Sequence, residues 1–218
     1  MFLGHFGVAF AAKRAAPTVS LGTWVVACQL LDLLWPIFVL LGIETVAIVP
    51  GVTAFSPLDF THYPWTHSLL MAAVWSCAMG ALYWRLRTNY IVATLVGLGV
   101  LSHWFLDVLA HRPDLPLAPG SDVKIGFGLW NSVSGTLIVE FALFALGLGL
   151  YLGGSRARDR QGEYGLWALV IFLFVAYASA SFGPPPPGVK AMAAVTLLGG
   201  GIVAGWTYWL DRHRVTRT

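Results

Sequence analysis

Runs of apolar residues recur along the whole chain, each bounded by a short cluster of charged residues, proline or glycine. Six are long enough to cross a bilayer, whose ~30 Å hydrocarbon core takes about 20 helical residues. They predict spans at roughly 20–42, 67–84, 90–111, 128–153, 164–182 and 191–210. A further apolar run, residues 2–12, covers only about 16 Å as a helix. It predicts a short membrane-associated segment that dips into the bilayer or lies along its surface. The pattern is that of an all-α, polytopic membrane helical bundle with about six transmembrane helices plus a short N-terminal membrane-associated helix. Residues 1–218 read as a single integral membrane domain, with loops too short to hold a separate soluble unit.

Composition agrees with this pattern. The 218 residues are 57% hydrophobic and only 11% charged, with a mean hydropathy of +0.73, whereas soluble domains are about a quarter charged. No basic residue precedes the first apolar run, so a cleavable signal peptide is not expected. Cys28 and Cys77 both fall in apolar spans and read as small buried hydrophobes, not as a disulfide framework. The formal charge of +3 is spread over loops, which excludes a nucleic-acid-binding stripe. Its distribution sets an orientation instead. Ten Lys and Arg residues (Lys13, Arg14, Arg85, Arg87, Arg156, Arg158, Arg160, Arg212, Arg214, Arg217) fall on one side of the spans, against Arg112, Lys124 and Lys190 on the other. The positive-inside rule makes the first side cytoplasmic, C-terminus included, in a bacterial inner (plasma) membrane. The loops 43–66, 112–127 and 183–190 then face outward.

Ionisable side chains inside spans are costly and usually functional. Here they are His5, Asp32, His67, His103, Asp107 and Glu140, with His62 and His111 at span edges. His103, Asp107 and His111 are spaced i, i+4, i+8 and share one helix face. An imidazole and a carboxylate one turn apart can grip a divalent ion such as zinc or manganese. His62 and His67 flank Pro64, which favours an irregular turn that lets them converge. Asp32, alone among leucines, needs a partner or a proton. Depth links these segments. Counted from the cytoplasmic ends, His5 lies about 12 Å in, Asp32 about 18 Å and His103 about 20 Å, while His67 begins its span at the outer face. The expected metal ligands are therefore His5, Asp32, His67, His103 and Asp107, gathered in the outer half of the bilayer. Glu140 reads equally as a participant or as a buried hydrogen-bonded acid. Asn131 at a span end, and Arg112 and Lys124 in an outer loop, are candidates to bind substrate, the two cations through an anionic group such as phosphate. Asp114 and Asp122 read as solvated.

With those residues placed, the chain resembles the membrane-bound metal-dependent hydrolase family. Gly4-His5 matches that family's opening Gly-His, and Asp32 the first aspartate of its Pro-Asp-x-Asp-His-type motif. His62, Thr66, His67 and Ser68 match His-Arg-Gly-x-Thr-His-Ser, and Ser102, His103 and Asp107 match Ser-His-x-x-x-Asp. The order agrees over residues 4–117. The second aspartate and the histidine of the family motif are replaced by Leu34 and Trp35, and its Arg-Gly by Tyr63-Pro64. These departures put the ion count at one or two, with His111 a possible substitute ligand. The His-x-x-x-Asp helix is more loosely similar to helical zinc-dependent phospholipase C.

The resemblance implies a hydrolase, and the outer-half site implies a membrane lipid or lipid-linked phosphoester as substrate. Zinc is the expected cofactor, with His62 or His111 as general acid or base. The competing expectation is a metal-ion or proton transporter, since intramembrane His and Asp chains also serve as ion paths. A third is a metal-stabilised scaffold. Oligomeric state is not legible in the chain.

Overall fold

The computed structural model describes residues 1–217. Among the described residues, five helices are long and apolar enough to cross a membrane: α5 (Leu69–Arg87), α6 (Tyr90–Ala110), α7 (Val133–Gly154), α8 (Arg160–Phe182) and α9 (Val189–Arg212). The starts of α5 to α8 are written locally. Ser68, Asn89, Ser132 and Asp159 each accept a backbone N–H of the first turn, at 3.3, 3.1, 3.1 and 2.8 Å. Large apolar side chains such as Leu82, Ile138, Ile171 and Leu198 point outward, the arrangement a helix adopts when its solvent is hydrocarbon.

The first expected span is not one straight helix. It is a pair, α2 (Leu21–Cys28) and α3 (Leu30–Leu40), bent by 55° at Gln29. Counted as one span, the pair brings the total to six. The second and fourth expected spans start differently too. A short helix, α4 (Pro64–His67), precedes α5 and is separated from it by the extended Ser68 (ψ 153°). A 3-10 turn at Leu129–Asn131 precedes α7.

The N-terminal helix α1 (Leu3–Ala15) is packed inside the bundle. Leu3, Gly4, His5, Phe6, Gly7, Ala9 and Phe10 are all buried. It crosses α7 where Gly7 faces Gly147, so closely that a Cβ at Gly147 would fall on the Gly7 carbonyl. Cys28 is buried as expected, whereas Cys77 is exposed on α5.

The loops fold as three short antiparallel ribbons that the apolar pattern does not predict. β1 (Thr45–Ile48) pairs with β2 (Leu58–His62), and β3 (Leu115–Pro116) with β4 (Lys124–Ile125). At the other end of the bundle β5 (Ser155–Ala157) pairs with β6 (Arg214–Thr216). Strands of two to five residues carry too few positions for a period-2 signal. β5 and β6 share their end with the ten basic residues and with the Lys13–Asp211 ion pair at 2.8 Å. The candidate site lies toward the opposite end, beneath β1–β4.

Candidate functional site

The site is built on α6. One helical turn apart, His103 and Asp107 both point into the bundle and are buried. His103 Nδ1 lies 2.8 Å from the carbonyl oxygen of Cys28, at the bend between α2 and α3. A carbonyl only accepts, so Nδ1 carries the proton and Nε2 presents its lone pair to the interior. That Nε2 is buried with no hydrogen-bond partner, and so is His5 Nδ1. Bare buried nitrogens are expensive and fit a site made to receive a ligand.

His67 is oriented by a longer chain of bonds. The Thr66 hydroxyl donates to Glu44 Oε2 at 2.6 Å, which spends its only proton. Its oxygen then accepts from His67 Nδ1–H at 2.8 Å, leaving Nε2 of His67 as the free lone pair. Glu44 also accepts the backbone N–H groups of Trp65 and Thr66, both at 2.8 Å, and so caps α4 from the loop after α3. Trp104 Nε1 donates to the His67 carbonyl at 2.9 Å, fastening α4 to α6.

These constraints bring the two histidine nitrogens up to two carboxylates. His67 Nε2 is 3.4 Å from Asp32 Oδ1 and 3.7 Å from Asp107 Oδ2. His103 Nε2 is 3.6 Å from Asp32 Oδ1 and 3.2 Å from Asp107 Oδ2. Zinc–ligand bonds of 2.0–2.1 Å in a tetrahedron place neighbouring ligand atoms about 3.3 Å apart. The four His–Asp separations here lie close to that length. The ligand atoms of Asp32, His67 and His103 fall within 4.8 Å of one another, as do those of His5, His103 and Asp107. His5 stacks on His103, ring centroids 3.7 Å apart, and its Nε2 is 3.1 Å from Asp107 Oδ1. The Met1 amine lies 2.5 Å from the same oxygen. Glu140 accepts the N–H groups of Phe2 and Gly4, each at 2.9 Å, and so holds the start of α1 against α7.

A second constellation faces the first across a cavity of about 310 Å³ whose lining includes Asp32, His67, Asp107, His111, Trp130 and Glu140. Asp114 Oδ1 accepts from the Tyr63 hydroxyl at 2.7 Å and pairs with His111 Nδ1 at 3.0 Å. Burial raises the Asp114 pKa, but hydrogen bonds from His111, Tyr63 and Arg112 outweigh it and hold the carboxyl below its ordinary value. Burial, and then the charge of Asp114, push the Tyr63 phenol well above its usual range, so it remains a donor. His111 packs on Trp130, ring centroids 4.3 Å apart.

The five residues expected to bind metal thus come together, and His111 lines their cavity. His62 is exposed on β2 and lies outside that lining. Arg112 is held between Asp59 and Asp114, while Lys124 on β4 and Asn131 in the 3-10 turn are exposed and do not line the cavity. Two acids escaped the sequence reading. Asp114 is buried, not solvated, and its signal was the His-x-x-Asp spacing from His111. Glu44, also buried, is a single acid closing an apolar run.

Fold and cluster together define a polytopic helical membrane protein with groups of His and Asp side chains close enough together that they could hold a metal ion. Residues 1–183 match the family model described as YdjM inner membrane protein. The chain belongs to that family and is an integral inner-membrane protein. No curated protein and no solved structure matches it.

Proposed function

We propose that this protein is a membrane-embedded, metal-dependent hydrolase acting on a lipid or lipid-linked phosphoester. One observation carries the reading: His67 Nε2 and His103 Nε2 each lie 3.2–3.7 Å from Asp32 Oδ1 and Asp107 Oδ2, with both histidines fixed by hydrogen bonds at their other nitrogen. His103 has one free nitrogen, so the two overlapping groups of ligand atoms describe a single ion site with His5 alongside. The all-N/O donor set suits zinc, with manganese as the alternative. Bound there, a divalent ion polarises a phosphoryl oxygen and acidifies water.

The remaining work falls to the chain. His111, its Nδ1–H held by Asp114, offers Nε2 as proton acceptor for attacking water and then as donor to the leaving oxygen. Trp130 and Phe60 pack around this ring and restrict its rotation. Of the four ligands only Asp32 is substantially open, its side chain 38% exposed against 4% or less for the others, so substrate approaches over Asp32. Toward the basic end, Phe10, Phe144 and Tyr151 pack together below the cluster. That apolar plug supports a one-sided site over an ion path through the bundle.

The test is elemental analysis of the detergent-solubilised protein, purified without chelators, beside His103→Ala. About one equivalent of zinc or manganese, lost in the variant, is expected. A protein that carries and takes up no divalent metal would overturn the proposal.

A further inference from the structure

A second cavity, of about 280 Å³, lies within the helical layer between the bent α2–α3 pair and α8 and α9. Its walls are almost wholly apolar: Phe6, Val25 and Leu33 on one side, Phe172 and Ala176 on α8, Gly199 on α9. It shares Phe2, Asp32, Ala180 and Thr196 with the cavity at the cluster. The two meet at Asp32, the open edge of the ligand set. Each is about the size of a small ligand pocket, and their chemistry differs along one line. The first ends among His111 and Ser56 near the loops. The second runs toward the middle of the spans and opens sideways, where Val195 and Phe172, 70% and 37% exposed, flank the seam between α9 and α8. Beside Gly199 that seam is empty, with nothing within 4 Å of where a Cβ would stand, so a bulky side chain there would fill it.

We propose that this second cavity is the binding slot for a hydrocarbon tail of the substrate lipid, which enters laterally from the bilayer between α8 and α9. The headgroup phosphoester then lies over Asp32, facing the cluster. This rests on the hydrolase reading for the identity of the head, but the slot itself rests on its apolar walls, its lateral opening and its junction with the ligand set. An amphipathic molecule is the one chemistry that satisfies both cavities at once, because a free phosphate leaves the apolar slot unfilled and a plain hydrocarbon leaves the polar one unsatisfied.

The full-length protein is reconstituted in phosphatidylglycerol vesicles containing a trace of the same lipid with a diazirine at one chain terminus. It is irradiated, and the labelled peptides are mapped. Expected is labelling of Ala176, Leu33 and their neighbours several-fold above the lipid-facing residues Leu70 and Leu82 of α5. Gly199→Trp, and independently Ala176→Trp, should bring slot labelling down to the α5 level while metal content stays at the wild-type value. Slot labelling no greater than on α5, or unchanged in both variants, overturns the slot even if metal is bound. A metal-free protein that still labels the slot overturns the hydrolase reading and leaves the slot standing.

Discussion

Thr66 is the most informative single position, because its one hydroxyl both donates to Glu44 and accepts from His67. Thr66→Val keeps the shape and removes both bonds. His67 Nδ1–H then loses its acceptor in a buried position, and Glu44 loses one of its three donors. An unpaired buried N–H costs about 1–3 kcal/mol. At 1.36 kcal/mol per factor of ten, that is about 5- to 150-fold in any equilibrium that requires His67 to present Nε2. Loss of an outer partner of a metal-bound histidine typically weakens metal binding by about 10–100-fold, the same range. The assay is zinc affinity of the solubilised protein by competition with a chromogenic chelator, with helix content and thermal midpoint followed in parallel. Weakening of about 10–100-fold with helix content retained is expected, and Thr66→Ser, which keeps the hydroxyl, should stay near wild type. An affinity unchanged in Thr66→Val would refute the orienting role of the Glu44–Thr66–His67 chain.

Three further outcomes follow from the same geometry. His111→Asn should lower turnover of a phosphoester substrate by about 10²–10⁴ while leaving bound metal at the wild-type level, and metal loss would instead make His111 a ligand. The Asp114 carboxyl is held below its ordinary value, so its contribution to stability is fully present above the unfolded value near 3.8 and is lost as pH falls through the lower folded value. The gap in thermal midpoint between wild type and Asp114→Asn should therefore close as pH is taken from 6 toward 3, and a gap independent of pH would contradict this. Gly147→Ala places a methyl group on the Gly7 carbonyl, which should cost about 1–3 kcal/mol, seen as a thermal midpoint lower by several degrees. Because α1 carries His5 beside Asp107, metal affinity should fall with it.

How much of this was legible in the chain depends on whether a residue's role is set by its own neighbours or by a distant segment. Spans α5 to α9 are long, mostly apolar runs, and α5 to α8 each have a capping residue just before them, so pattern alone places them. His5, Asp32, His67, His103 and Asp107 stand out for a related reason, since an ionisable group in an apolar run must find partners, and their depths along separate segments agree. Glu44 and Asp114 sit in loops where a carboxylate costs nothing to expose. Only the folding of those loops under β1–β4 buries the two acids and turns them toward Thr66 and His111. The bend at Gln29 is the sharpest case. The sequence from Leu21 to Leu41 holds no glycine after Gly22, and Pro36 falls well past the break, so nothing local marks Cys28 as the place where the helix opens. Its carbonyl is taken by His103, 75 residues later. That bond satisfies a backbone acceptor released by the break, as backbone inside the apolar layer requires, and it fixes which nitrogen of His103 faces the cluster. The bend also belongs to the pair that carries Asp32. The break in the first span and the ligand set are therefore one arrangement. A straight α2–α3 helix would leave His103 Nδ1 without its carbonyl and turn Asp32 away from His67.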